Sequence, residues 1–261
     1  MHFRVFVISL FSLCQSWAFV SGNPAQPDLM PKGVVPFKNK VWSLRAAFVD
    51  DYIYSQHFKG DIELAGEEEK PPSVSISTEM AQVTLNYARR LDIYGLAGSS
   101  KMQMDQEVFA RRQFSWGAGA KAIIFEIDCF RMGADFKYFQ SDQKPLFLVS
   151  SGLALDIKSD LMLFYREYQG SFGVAYQSGL FCLYTNGTYI NAKFEPNQYI
   201  FLISVPGYTD PMDAMINSFS ASNPWGLAVG ATLVMGCKGT LTVESRFFNQ
   251  NAINASLELK F

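Results

Sequence analysis

Apolar and polar residues alternate along most of this chain, most clearly at its end. Leu241, Val243 and Phe247 share one parity with Ser245, while Thr240, Thr242, Glu244 and Arg246 share the other. A turn-like Asn249-Gln250-Asn251 follows. Then Ile253, Ala255, Leu257, Leu259 and Phe261 alternate with Asn254, Ser256, Glu258 and Lys260. A period of two sends successive side chains to opposite faces of a strand. A soluble sandwich gives the same alternation. An aromatic terminus in the apolar register is instead usual for an outer-membrane β-barrel, whose last strand closes a sheet in lipid.

The same reading upstream yields further strands. The first runs from Val41 to His57, with Trp42, Leu44, Ala46, Phe48, Tyr52 and Tyr54 on one face and Ser43, Arg45, Asp51 and Ser55 on the other. Strand 2 covers Ser73 to Ala88 and turns at Arg89-Arg90 into strand 3, whose parity is ambiguous. Strand 4 sets Phe114, Trp116, Ala118, Ala120, Ala122 and Ile124 against Ser115, Gly117, Gly119 and Lys121; small inward residues suit a narrow, packed interior. Asp128-Cys129 leads to strand 5, where Phe130, Met132, Ala134, Phe136 and Tyr138 oppose Arg131, Asp135 and Lys137. Residues 146–159 read as a short strand pair or a folded loop. Strands 6 and 7 meet at Ser178-Gly179, and strand 8 carries Trp225, Leu227, Val229, Ala231 and Leu233 outward. Residues 195–223 form a long excursion with a short helix expected at Pro211 to Ser218; a connection this long is usually functional or folded onto the structure. Tight turns alternate with long ones, as short periplasmic turns do with longer outer loops. The fold class expected is all-β, a transmembrane antiparallel barrel of about ten strands, with eight or twelve open.

Composition adjusts this picture. Aromatic residues make up 15% and charged residues 18%, a balance suited to interfacial aromatic girdles. A net charge of −2 gives no basic footprint, so no nucleic acid is expected as a partner. Residues 1–22 read as a signal peptide, with Arg4, an apolar core from Val5 to Leu13, and cleavage after Ala18 or Gly22. Beyond it no apolar run is long enough for a membrane helix, so a membrane protein of this sequence must be a barrel or peripheral. Residues 23–40 are Pro-rich and read as an extended lead-in; 41–261 make the barrel. Cys129, Cys182 and Cys237 remain after the leader, an odd number in an exported chain.

Laid out this way, the chain resembles the chlamydial major outer membrane protein family of porins. SLRAAFVDDYIYSQHF at 43–58 looks like that family's first strand, and VTLNYARRLDIYGLAG at 83–98 is similar to its strand, basic turn and next strand. SWGAGAKAIIFEIDCFRMGADFKYFQ at 115–140 looks like its W-x-x-G-A-[RK]-A stretch, running through a cysteine-bearing turn into a G-A-x-F-x-Y strand. Residues 226–261 resemble its closing strands, including T-V-E-[ST]-R at Thr242 to Arg246. The chain is shorter than typical members, with its variable loops trimmed. The resemblance implies an outer-membrane location, diffusion of small solutes, disulfide cross-linking within the envelope, and Phe261 as part of the signal read by the barrel-assembly machinery.

Candidate chemistry is sparse. His57 is the one histidine beyond the leader, with Asp50 and Asp51 nearby in sequence; a barrel enzyme would have to use it, and a polar residue at the rim of strand 1 is the plainer reading. No cofactor is expected, and no His/Cys/Asp cluster has metal-ligand spacing. Two functions stand beside the enzyme. One is a passive pore lined by Arg45, Lys121, Arg131, Asp135, Lys137, Glu244 and Arg246, whose mixed signs argue against strong ion selectivity. The other is a narrow barrel filled by side chains, serving a structural or adhesive role. Membrane lipid is the expected partner on the apolar face. The cysteines, all placed toward the periplasmic rim, point to homo-oligomers or disulfide-linked envelope proteins. An arginine at Ala231 should be costly on the lipid face, and one at Thr242 should cost much less.

Overall fold

The computed structural model describes residues 22–29, 41–59, 62–64, 67–68, 73–104, 108–150, 153–204, 211–236 and 239–260. Phe261 and Cys237 lie outside these residues, as does the leader up to residue 21. Ten long strands form the wall: β1 (Trp42–Lys59), β2 (Ser73–Tyr87), β3 (Leu91–Met104), β4 (Gln113–Ile127), β5 (Phe130–Ser150), β6 (Leu163–Ser178), β7 (Phe181–Pro196), β8 (Trp225–Met235), β9 (Gly239–Phe247) and β10 (Asn251–Lys260). Each pairs antiparallel with its neighbour in sequence, and β1 pairs with β10 from Arg45↔Lys260 to Ser55↔Asn251, closing the ring. Closure leaves no unpaired wall edge in lipid, where an unsatisfied backbone group costs several kcal/mol.

Alternation sorts the wall. Phe130, Phe136 and Trp225 are exposed on the outer face, and Tyr138, Leu233 and Leu257 lie on that face half-buried. Aromatic rings pair across strands near both ends of it: Trp42 with Tyr87 and Phe130 with Tyr176 at one end, Trp116 with Tyr138 and Tyr189 with Trp225 at the other. The three-residue turn between β9 and β10 lies at the second end, and the turns between β2 and β3, β4 and β5, and β6 and β7 lie at the first. Two of them force non-glycine residues into left-handed backbone, Ala88 and Arg89 between β2 and β3, and Asp128 between β4 and β5. β3 is also resolved: Asp92, Tyr94 and Leu96 face inward, while Ile93, Gly95 and Ala97 face out.

The other end is capped. Leu153–Ile157 forms a hairpin with the top of β5, and a sheet continues through Ile200–Ser204, Met212–Ile216 and Ile62–Leu64. The 195–223 excursion is thus folded onto the barrel. The helix expected at 211–218 is instead a strand, because Ile200 to Ile203 pair with Met215 to Met212 and turn Ala214 and Ile216 into the core. A register shift in β1 between Ile53 and Ser55 changes the parity expected for its end: Gln56 and Phe58 point inward, His57 points out, and Ser55 is half-buried beside Ser73.

Candidate functional site: a filled lumen

The interior is built in three layers. Under the cap, Val49, Ile53, Phe58, Val74, Ile76, Met80, Met102, Phe139, Leu163 and Phe194 form one apolar cluster with the inward residues of the cap strands. Phe58, Phe194, Tyr165 and Phe139 form a chain of ring contacts, with centroids 5.1, 4.6 and 5.9 Å apart. These residues come from opposite parts of the wall, so the cluster bridges the lumen.

Below it lies the charged layer. All seven residues expected to line the lumen face inward. Arg45 and Arg246 are 0% exposed, Glu244 1%, Lys137 3% and Lys121 9%. Arg45 bridges Asp92 of β3 and Glu258 of β10, with Nε 3.1 Å from the latter. Arg246 Nη2 donates to Asp51 Oδ1 at 3.1 Å, and Asn254 Nδ2 donates to the same oxygen at 3.1 Å. Three tyrosines donate to carboxylates: Tyr94 to Asp135 (2.8 Å), Tyr184 to Glu244 (2.9 Å), and Tyr165 to Glu167. Pairing of this kind is what makes buried charge tolerable in a low-dielectric interior. The tyrosines fit because glycines lie opposite them. A Cβ at Gly119 would collide with the Tyr94 ring, and one at Gly230 with Tyr184. Asp51, Asp92, Glu167 and Glu258 escaped the lumen set expected from the sequence, although the strict alternation of β6 and β10 marks the last two.

The bottom layer was not anticipated. Residues 22–29, expected to be an extended lead-in, fold into consecutive turns inside the end of the barrel that carries the β2–β3 and β4–β5 turns. Gln26 N–H donates to Asn23 O (3.0 Å) and Asp28 N–H to Ala25 O (2.9 Å). Gly22 N–H donates to Glu244 Oε2 (3.0 Å), and Asn186 Nδ2 donates to Gly22 O (2.8 Å). Asn23 Nδ2 donates to Thr232 Oγ1 (2.9 Å), and Gln26 Nε2 donates to Glu258 and Thr240. Arg45 and Asn86 donate to the carbonyls of Gln26 and Pro27. Asp28 pairs with Arg131 (2.7 Å) and Arg89. Pro24 rests on Gly133, where a Cβ would meet it. Between this plug and the wall is a cavity of about 60 Å³, lined in part by Tyr94, Lys121, Asp135, Lys137, Thr242 and Glu258. It has room for only a few waters.

The remaining candidates separate. His57 is exposed on the outer face while Asp51 is buried inside. Asp50 is seven residues from His57 along the same strand, a separation of roughly 20 Å. The β1 strand therefore offers His57 neither aspartate as a catalytic partner. Cys129 is an exposed free thiol in the β4–β5 turn. Cys182 was placed near the rim, but it points into the lumen, fully buried, with Sγ 3.7 Å from Asn23 Oδ1. Its burial under the plug removes it from reach of another molecule. No group of metal-ligating side chains occurs among the described residues.

Residues 96–151 match the family described as Chlamydia major outer membrane protein. The major outer membrane porin, serovar B, of Chlamydia trachomatis is 21% identical over an alignment of 382 positions covering 97% of both chains. That alignment is longer than the 261-residue chain, so the relative carries additional stretches. The major outer membrane porin of Chlamydia muridarum is 22% identical over 64% of this chain and 56% of its own. Among solved structures, the translocator domain of the autotransporter NalP from Neisseria meningitidis matches 86% of this chain and 88% of its own, with 9% identity and a TM-score of 0.44. The chain is similar along its length to the chlamydial major outer membrane porins, though shorter, and is a porin-like β-barrel of the outer membrane.

Proposed function

We propose that this barrel is a closed structural element of the outer membrane, and that it does not pass small solutes in the conformation described here. The observation that carries the reading is the burial of Arg45, Asp51, Glu167, Glu244 and Arg246, each 0–1% exposed although all face the lumen. A water-filled pore running past these side chains would leave them accessible. The apolar cluster above and the plug below support the same reading from both ends. The relatives' name as porins supports the alternative of diffusive passage. That would need the plug to leave and the charged layer to part. No catalytic role is proposed, given the isolation of His57.

The test is conductance. The mature chain, refolded and inserted into planar bilayers, should give no stepwise current at moderate voltage and ordinary salt. Regular single-channel steps from the unaltered chain would overturn the closed-barrel reading and favour the pore.

A further inference from the structure

We propose that the outer face of β3 to β5 binds the phosphate of a phosphorylated, acylated sugar lipid in the outer leaflet. Here the short strand Val108–Arg111 pairs with the tops of β3 and β5. Arg111 lies directly opposite Lys144. Lys101 lies between Gln103, the partner of Phe109, and Ser100, the partner of Gln113, and so faces the Arg111–Arg112 step. Lys101, Arg111, Arg112 and Lys144 thus cluster at one height of three strands on the outward face. Like charges directly opposite each other destabilise a sheet unless an anion lies between them. The protein supplies three nearby, Asp160, Glu79, and Asp142 two residues below Lys144 on the same face. Lys144 reaches Asp160 (2.8 Å) and Arg112 reaches Glu79 (3.0 Å), but Lys101 and Arg111 have no ion-pair partner among the described residues. The other outward like-charge pair, Arg166 opposite Lys193, has Glu195 3.1 Å from its arginine.

The height of the cluster selects the ligand. Phe114, opposite Ser99, lies two residues below Lys101, or about 7 Å along the strand. With Trp116 and Tyr138 it belongs to the aromatic girdle that marks the lipid interface. The cluster therefore sits at headgroup level, where lysine and arginine attract anionic lipid and a guanidinium can hold phosphate with two hydrogen bonds. Beneath it Gly95 and Ala118 form a shallow channel flanked by Trp116, Tyr138, Ile93 and Phe136, an apolar bed for acyl chains. Two residues above it, Phe109 and Phe147 stack at 4.9 Å and offer a flat surface for a sugar ring.

The experiment uses the whole mature chain in nanodiscs, with bound lipid counted by native mass spectrometry. The probes are diphosphoryl lipid A, dephosphorylated lipid A and inorganic phosphate. The unaltered protein should retain diphosphoryl lipid A. The Lys101→Gln/Arg111→Gln/Lys144→Gln variant should lose retention roughly tenfold, as expected when charge-assisted phosphate contacts are removed. Arg166→Gln/Lys193→Gln should match the unaltered protein. Arg111→Gln alone should show a smaller loss, and serves if the triple variant fails to fold by heat-modified migration. Unchanged retention by the folded triple or single variant would overturn the proposal. So would equal retention of the dephosphorylated lipid, which would mean wall contact alone. Displacement of the lipid by millimolar inorganic phosphate would show that acyl chains and sugar add nothing, and would overturn the choice of a lipid.

Discussion

At the scale of single residues, the interior is fitted together by glycines under tyrosines. Gly230→Ala places a methyl where the Tyr184 ring lies, so either the ring moves or the wall does. The expected loss is about 1–3 kcal/mol, the usual range for overpacking. Gly187→Ala, on the outer face with its nearest neighbour 3.9 Å away, should stay within about 0.5 kcal/mol. Urea titration of the refolded barrel measures both; equal losses would mean the two faces are misassigned. The filled lumen also changes what arginine scanning should show. Ala231→Arg, on the lipid face, should cost about 2–4 kcal/mol. With an open lumen, Thr242→Arg would be mild. But Thr242 is 3% exposed and its Oγ1 lies 2.9 Å from that of Thr232, so it should also cost about 1–3 kcal/mol. A neutral Thr242→Arg would argue for an open interior. The inward charged residues were legible because a lysine or arginine opposite phenylalanines leaves little choice of face. Tyr94 and Tyr165 were not, since an aromatic ring is at home on either face and only the packing around it decides.

The ten wall strands were readable as elements because each is long enough for a period of two to stand out, and most tight turns carry their own residues. Two elements were hidden. Met212–Ile216 has a helix-compatible composition, and the pairing with Ile200–Ser204 that fixes it is invisible locally. The plug has no periodicity at all. Its prolines make it read as a linker, while its receptor is scattered from Arg45 in β1 to Glu258 in β10. Its occupancy has a built-in reporter in Cys182. With Cys129→Ser and Cys237→Ser as background, Cys182 should resist a water-soluble maleimide in intact membranes. Gly133→Ala, whose methyl meets both Pro24 and the Ala122 carbonyl of β4, should speed labelling on the order of tenfold, the effect of a ~1.4 kcal/mol shift in docking, with heat-modified migration checking that the wall is intact. Rapid labelling of the unaltered plug would show that residues 22–29 spend their time elsewhere.

For the molecule as a whole, the rim and the interior give the cysteines different fates. Cys129 is exposed at the short-turn rim, the side expected to meet the periplasm where disulfides persist, and Cys182 is enclosed. Envelopes run without reductant should show high-mass species that collapse to monomer when reduced. Cys129→Ser should weaken those species and Cys182→Ser should leave them intact. Exclusively monomeric envelope protein would remove cross-linking from this barrel's roles. The ring closure between β1 and β10 also imposes an order in time. The plug is among the first parts of the described chain to be synthesised, and the strand that completes the enclosure around it is the last. Its contacts come from both sides of that seam, Arg45 on one and Glu258 on the other, so its full socket does not exist until the final strand has paired. The chain must therefore hold this segment undocked until β10 has paired with β1, and its docking becomes the event that marks a finished barrel.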